Sequence, residues 1–289
     1  MRIFIKNLSF SYNPKAKQNE KQYALNNVSL TVESGEFFGI IGQTGSGKST
    51  LIQHLNALLP LQEGQIFIGD FDLSQKGKTA KKNLKELRKK VGMVFQYPEY
   101  QLFAETVYED VAFAVKNFYP DLQQSEITRR VGDAITQVGL DYNEIKDKSP
   151  FDLSGGQKRR VAIAGVLVAN PEILVLDEPV AGLDPMGKKD LMQLLHNLNT
   201  NNRTIIIVSH DMDEVCENCS RIAVMKNGQI ASVGTPEQVF KTGEERLALP
   251  VTARLKNSLQ SAGVNIDLPL NTQDFLQAII NYHKSKTQN

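Results

Sequence analysis

Apolar and polar residues alternate through Ile3–Phe10 and Val28–Val32, the pattern of strands with one buried face. Glu36–Ile41 is an apolar run followed by a glycine, and Val91–Phe95, Ile173–Leu176 and Thr204–Val208 are short, apolar and rich in β-branched residues. Runs of this kind suit strands of a parallel sheet covered on both faces. Polar Asn13–Lys21 reads as a loop, as does Gln43–Gly47, after which Lys48–Leu59 has helical spacing. From about Phe103 to Ala169 the period is helical throughout. Ile222–Lys226 and Gln229–Val233 flank Asn227-Gly228, a two-residue turn that predicts a hairpin. Thr235-Pro236 with Gln238 predicts a capped helix start. Further on, Leu255 and Leu259, then Phe275, Leu276, Ile279 and Ile280, predict two short amphipathic helices.

Strands alternating with helices argue for an α/β fold, a mostly parallel sheet covered by helices. The β-only start predicts an added antiparallel β subdomain, and residues 97–165 an inserted α-helical subdomain. Two units follow: a main domain over 1–245 and a small C-terminal helical extension over 246–289. The extension is too short for a core of its own and must pack on the body or on a partner.

The chain has 289 residues, 41% hydrophobic and 22% charged, an ordinary globular balance for one large domain with an addition. A formal net charge of +1 gives no sign of nucleic-acid binding. The basic stretch 76–90 reads as a solvated loop and helix face. The longest apolar run, Val161–Ala169, is far shorter than a membrane span, and the first residues lack the build of a secretion signal. A soluble protein on the cytoplasmic side is expected, with any membrane role supplied by partners. Cys216 and Cys219 are spaced C-x-x-C without further ligands nearby, and two reduced thiols on one helix are expected.

Gly42-Gln43-Thr44-Gly45-Ser46-Gly47-Lys48-Ser49 fits the phosphate-binding pattern G-x-x-x-x-G-K-[ST] between a predicted strand and a predicted helix. Glycines let successive N–H groups turn inward around an anion, and the helix N-terminus adds its dipole. Lys48 should reach the β- and γ-phosphates of ATP, Ser49 should ligate Mg²⁺, and Thr50 completes the nucleotide-binding set. Ile173–Leu176 ends in Asp177-Glu178, so a buried strand delivers one carboxylate to the metal and a second, Glu178, to polarise the attacking water. Leu153-Ser154-Gly155-Gly156-Gln157 opens a helix. Ser154 and Gln157 can form a capping box there, and the two glycines leave the helix start bare enough to approach an anion.

With these motifs in this order, the chain resembles the ABC ATPase family over roughly residues 1–240. The resemblance implies that Tyr12 stacks on adenine, Gln96 is the Q-loop glutamine that meets the metal and the attacking water, and Asp184 belongs to the D-loop Ala181-Gly182-Leu183-Asp184. It makes His210 the switch histidine. It also implies two cassettes head to tail, each ATP lying between one phosphate loop and the other chain's Ser154–Gln157. Val180 stands where many family members have Thr.

The stretches VFQYPEYQLFAETVYEDVAFAVKN, QKRRVAIAGVL and LDEPVAGLDP are similar to the energy-coupling factor branch of ABC importers, in particular the second of its two paralogous ATPases. That resemblance implies uptake of vitamins or of cobalt and nickel ions. The implied partners are a paralogous ATPase, a transmembrane coupling protein and a membrane substrate-binding component, with no nucleic acid. It places the chain peripherally on the cytoplasmic side of the cell membrane, and its tail in dimer contacts. ABC proteins of translation usually carry two cassettes per chain and those of DNA maintenance long coiled coils, whereas this chain has one phosphate loop and no such coil.

Overall fold

The computed structural model describes residues 1–15, 22–75, 78–241, 249–264, 266 and 268–287. Most of the expected loop Asn13–Lys21, the start of the basic stretch at 76–77 and the 245/246 boundary lie outside the described residues.

Two sheets carry the fold. Strands β1 (Ile3–Phe10), β2 (Leu25–Val32), β4 (Glu63–Ile68) and β5 (Phe71–Asp72) form an antiparallel sheet ordered β2-β1-β4-β5. Strands β3 (Phe37–Ile41), β6 (Val91–Val94), β7 (Ile173–Asp177), β8 (Thr204–Val208), β9 (Arg221–Lys226) and β10 (Gln229–Gly234) form a second sheet ordered β10-β9-β3-β8-β7-β6. All of its pairs are parallel except the β9–β10 hairpin, whose turn residues Asn227 and Gly228 both have positive φ as the sequence predicts.

Side chains of the parallel strands divide between two cores. Phe38, Ile40, Val175, Ile206 and Val208 point toward the antiparallel sheet and helices α1 (Lys48–Leu55) and α2 (Lys78–Lys90). Phe37, Ile41, Leu174, Leu176, Ile205 and Ile207 pack on the other face, against α3 (Val107–Phe118), α4 (Gln124–Gln137), α6 (Gly155–Leu167) and α7 (Pro185–Thr200). Both faces are apolar, which explains why these strands read as continuous runs. Val180 lies in the second core. The region from Phe103 to Ala169 is helical as expected, with a short α5 (Tyr142–Ile145) between α4 and α6.

Three expectations need correction. The helix expected over Lys48–Leu59 ends at Leu55, because Ala57 takes φ 49° and Leu58 and Ala57 donate back to the carbonyls of Gln53 (2.9 Å) and His54 (3.0 Å). This is a Schellman stop with alanine at the left-handed position. Strands β4 and β5 stand outside the elements that the hydrophobic pattern predicts; they join through Gly69-Asp70, since Ile68 pairs with Phe71. A two-residue Gly-Asp turn after alternating Ile66 and Ile68 is a signal that could have found them. In the tail, α10 (Val251–Ser261) and α11 (Thr272–Thr287) form, but Leu255, Leu276 and Ile280 of the expected apolar faces point outward. Inward are Thr252, Ala253, Leu270 and Phe275. Both helix starts are held by α8 (Met212–Asn218): the Val251 N–H donates to Asp213 Oδ1 and the Thr272 N–H to Glu217 Oε1, each at 2.6 Å. Carboxylates at helix N-termini are favoured by the dipole.

Candidate functional site

Strands β3, β6, β7 and β8 run in one direction, so the residues just beyond their ends collect at one edge. Gly42 follows β3, Gln96 follows β6, Glu178 follows β7 and His210 follows β8. Open α/β sheets bind ligands at such an edge. A cleft of about 570 Å³ lies there, lined by Tyr12, Ala24, Thr44, Gly45, Gly47, Lys48, Ser49, Thr50, Gln96, Asp177, Glu178 and His210.

The phosphate loop can take its path only with glycine at two points. A Cβ on Gly42 (φ 148°) would stand 2.2 Å from the Met225 carbonyl oxygen, and one on Gly47 (φ 102°) 2.6 Å from that of Ala24. The Asn227-Gly228 turn braces the loop, its Gly228 N–H donating to the Ser46 carbonyl at 3.0 Å. Lys48 Nζ donates to the carbonyls of Gly42 (2.8 Å) and Gln43 (3.0 Å), which form the underside of the loop with buried Ser46. Burial lowers the Lys48 pKa from its ordinary value, against the pull of Glu178 and Asp177. Burial likewise raises that of Asp177; a hydrogen bond with Ser49 and the charge of Lys48 oppose it, while Glu178 adds to it. The same loss of water strengthens every charge interaction in the cleft.

Glu178 donates its N–H to the Val208 carbonyl (2.9 Å) and then takes φ 49°, a left-handed conformation costing a non-glycine residue about 1–2 kcal/mol. The turn aims its side chain across to the end of β8, where Oε2 lies 2.7 Å from His210 Nδ1. Gln96 is exposed at the cleft, and Tyr97 next to it is also left-handed, with φ 54°. The exposed Tyr12 ring is set by an edge contact with Phe10 (5.1 Å) and by its hydroxyl 3.1 Å from Thr50 Oγ1.

The remaining candidates do not line this cleft. Ser154 caps α6 in a complete capping box with Gln157 (3.1 and 3.3 Å). Gly155 and Gly156 are exposed, and a Cβ on either would meet nothing within 4 Å. Asp184 caps α7 through the Gly187 N–H at 2.7 Å. Cys216 and Cys219 are free, buried thiols whose pKa burial pushes upward. Tyr97, Tyr100, Phe103 and Phe113 make an aromatic surface beside Gln96, with Phe103 edge-on to Phe113 at 5.0 Å. Phe103 is 60% exposed and so is no core residue, whereas Leu102 is buried. Nothing in the sequence pointed to Ala24 as a cleft residue.

The ABC transporter family profile matches residues 25–181. The energy-coupling factor transporter ATP-binding protein EcfA2 of Clostridioides difficile is 48% identical over 92% of each chain, and that of Enterococcus faecalis 43% identical over 97% of this chain and 96% of its own. The chain belongs to this family. It is an ATP-binding, ATP-hydrolysing subunit of the energy-coupling factor class of ABC transporters. Among solved structures, cbiO1 of Clostridium perfringens, part of the ABC transporter complex cbiONQ, superposes with a TM-score of 0.73 at 37% identity, covering 90% of this chain and 96% of its own. The cassette MJ0796, as a dimer in a post-hydrolysis state bound to ADP and Pi, has a TM-score of 0.70 at 31% identity, over 81% and 98%. The α/β fold with its antiparallel and helical additions is that of these ATPases.

Behind His210 lies a second carboxyl. Glu214 is 9% exposed and accepts from the Ser209 hydroxyl at 2.8 Å, while its Oε1 has no hydrogen-bond partner among the described residues. Burial, with the charges of Asp211 and Glu178, pushes its pKa from 4.5 up to about 7, against the Ser209 bond and Lys188. The folded chain therefore keeps a proton that the unfolded chain releases. This contribution is fully present below about pH 4.5 and is lost as the pH rises through about 7. Glu214→Gln is neutral throughout, so chemical denaturation should give a shallower fall in stability across that window, by roughly 1.4 kcal/mol per pH unit at most. Parallel stability curves for the variant and the wild type would contradict the assignment.

Proposed function

We propose that this chain pairs head to tail with a second, paralogous ATPase, and that the pair powers uptake of a vitamin or transition-metal ion through a transmembrane coupling protein and a membrane substrate-binding component. The carrying observation is that Ser154, Gly155 and Gly156 form an open, exposed helix start outside the chain's own cleft. A phosphate loop covers one side of a triphosphate, and a bare helix N-terminus from the partner suits the other side. ATP bound between them stabilises the closed pair, and its hydrolysis releases it. Asp184, close to that interface in this reading, faces the partner's site.

Within the cleft, Tyr12 stacks on adenine, and the N–H groups of Gly42 to Thr50 surround the phosphates. Lys48 exchanges its two loop carbonyls for the β- and γ-phosphate oxygens. The residues present fit Mg²⁺. The Ser49 hydroxyl and the Asp177 carboxylate already share a hydrogen bond, and the Gln96 amide lines the same cleft. Bound there, Mg²⁺ neutralises charge on the phosphates. Glu178 accepts the proton of the attacking water, and His210 orients Glu178 through their 2.7 Å bond.

No described helix is long and apolar enough to cross a membrane. In this reading the transmembrane coupling protein holds the chain at the membrane. The aromatic surface beside Gln96, with Tyr100 84% exposed, suits contact with the coupling protein, so that motion of Gln96 on loss of the γ-phosphate moves that contact. The outward Leu255, Leu276 and Ile280 of the C-terminal extension suit a contact with the partner ATPase.

Three measurements test this scheme. Glu178→Gln should bind ATP as the wild type does while turnover falls by about a hundredfold or more, and near-normal turnover removes its role as base. Ser154→Arg in this chain, paired with alanine at the phosphate-loop lysine of the paralogue, puts both lesions on one composite site. Such dimers should retain about one radiolabelled ATP each, against none when Ser154→Arg is paired with arginine at the matching serine of the paralogue; equal retention contradicts the head-to-tail arrangement. Finally, Tyr100→Glu should lower co-purification of membrane subunits with this chain by about tenfold while isolated-chain ATP binding survives. Unchanged co-purification together with normal uptake puts the docking surface elsewhere.

A further inference from the structure

Arg159 sits on α6, one turn after the Ser154–Gln157 start, and is 4% exposed. Its guanidinium meets four acceptors on two other segments. Nε and Nη2 donate to Glu99 Oε2 (3.1 Å) and Oε1 (3.0 Å), in the 3-10 turn Pro98–Gln101 that follows Gln96. Nη1 donates to the carbonyls of Pro179 (3.1 Å) and Ala181 (2.9 Å), in the loop that follows Glu178 and leads to Asp184. One planar fork thus joins helix α6, the segment beyond Gln96 and the segment beyond Glu178. The two tied segments also lie close to each other, since a Cβ on Gly182 would stand 3.5 Å from the Tyr97 ring.

The backbone marks the same places. Tyr97, immediately before the first tied segment, and Glu178, immediately before the second, both hold positive φ although neither is glycine. Residues in that region persist only where the surroundings over-determine them, and such strain gathers at functional sites. A buried ion pair is a poor device for stability alone, because well-packed apolar residues often serve as well. It is a good device for geometry, because the guanidinium presents its donors in a rigid plane.

We propose that Arg159 is a positioning residue for hydrolysis, holding Gln96 and Glu178 in fixed relation to each other and to the Ser154 helix of the same chain. The proposal rests on the roles assigned above to Gln96 and Glu178. Arg159 itself does not line the cleft. It acts through the two loops whose first residues line the cleft. Because the Ser154 helix serves the partner's ATP in that scheme, the fork also joins the chain's own site to the one across the interface.

The test compares Arg159→Met, Arg159→Lys and Glu99→Gln in the assembly purified through a tag on this chain, with fluorescent-ATP titration and thermal melting of the full chain alongside. Lysine keeps the charge but cannot span four acceptors in one plane. Both Arg159 variants should therefore lose at least about tenfold in kcat, with KM and ATP affinity within about threefold of wild type. Glu99→Gln leaves the Pro179 and Ala181 bonds in place and should lose several-fold less. A merely structural role predicts that melting temperature, ATP affinity and kcat fall together and that lysine rescues them; that pattern overturns the proposal. If the Arg159 variants do not fold, Glu99→Gln decides, and wild-type kcat there overturns it too. Glu178→Gln runs in parallel. Retained turnover in that variant defeats the role of Glu178 whatever Arg159 does. Its loss, combined with wild-type kcat in Arg159→Lys, defeats the positioning role alone.

Discussion

Everything at the nucleotide edge depends on the parallel register of β6, β7, β8 and β3. Val94 pairs with Leu176, Asp177 with Val208 and Ile40 with Val208, so the four strands finish nearly level. Each chain segment leaves the sheet within a residue or two of that line. The phosphate loop, Gln96, Glu178 and His210 therefore converge although 168 positions separate the first from the last, from Gly42 to His210. The register is secured because both faces of these strands are apolar and buried. A slip by one residue would exchange the Phe37, Ile41 and Leu174 face with the Phe38, Ile40 and Val175 face, and the two faces meet cores of different shape.

On that rigid edge the site itself stores strain and unshielded charge. Glu178 and Tyr97 hold left-handed backbone, Asp177 is held toward its neutral form and Lys48 toward its own, each by burial. Glu214, hydrogen-bonded to Ser209, adds a carboxyl whose pKa burial pushes up to about 7. These costs are local, and the surrounding packing carries them: the fully buried strands on one side and the four-acceptor Arg159 fork on the other. Ground prepared in this way favours a ligand that brings negative charge for Lys48 and the loop N–H groups and positive charge for Asp177.

Among the described residues, the bare start of α6, the aromatic group around Tyr100 and the outward Leu255, Leu276 and Ile280 of α10 and α11 remain uncovered. Two of them are wired to the cleft by short routes. The aromatic group follows Gln96 directly. The C-terminal helices are capped by Asp213 and Glu217 of α8, which begins two residues after His210. A subunit whose chemistry is enclosed by one chain would have no need of such exposed connections.

Much of this was legible from residues alone. The glycine spacing of 42–49, the carboxylates closing an apolar run at 177–178, and Ser154-Gly155-Gly156-Gln157 announce their local structure, because a glycine-rich turn, a strand end and a helix cap are made by neighbours in sequence. Buried parallel strands were equally readable, since apolar runs need no partner to be recognised. Two local features were harder to read: helix α1 stops at Leu55 because Ala57 takes a left-handed turn, and β5 follows β4 after only two residues. What the sequence could not decide lies in contacts between distant positions. Leu255, Leu276 and Ile280 face outward because α8 holds the other side of the tail. Arg159 and Glu99 stand 60 positions apart, with no periodicity to link them. Sequence determined which groups could do chemistry, since that is a property of each residue and its neighbours. Only the tertiary structure decided which of them share a cleft, which face away from it, and which buried fork holds them in place, since those are properties of the sheet register.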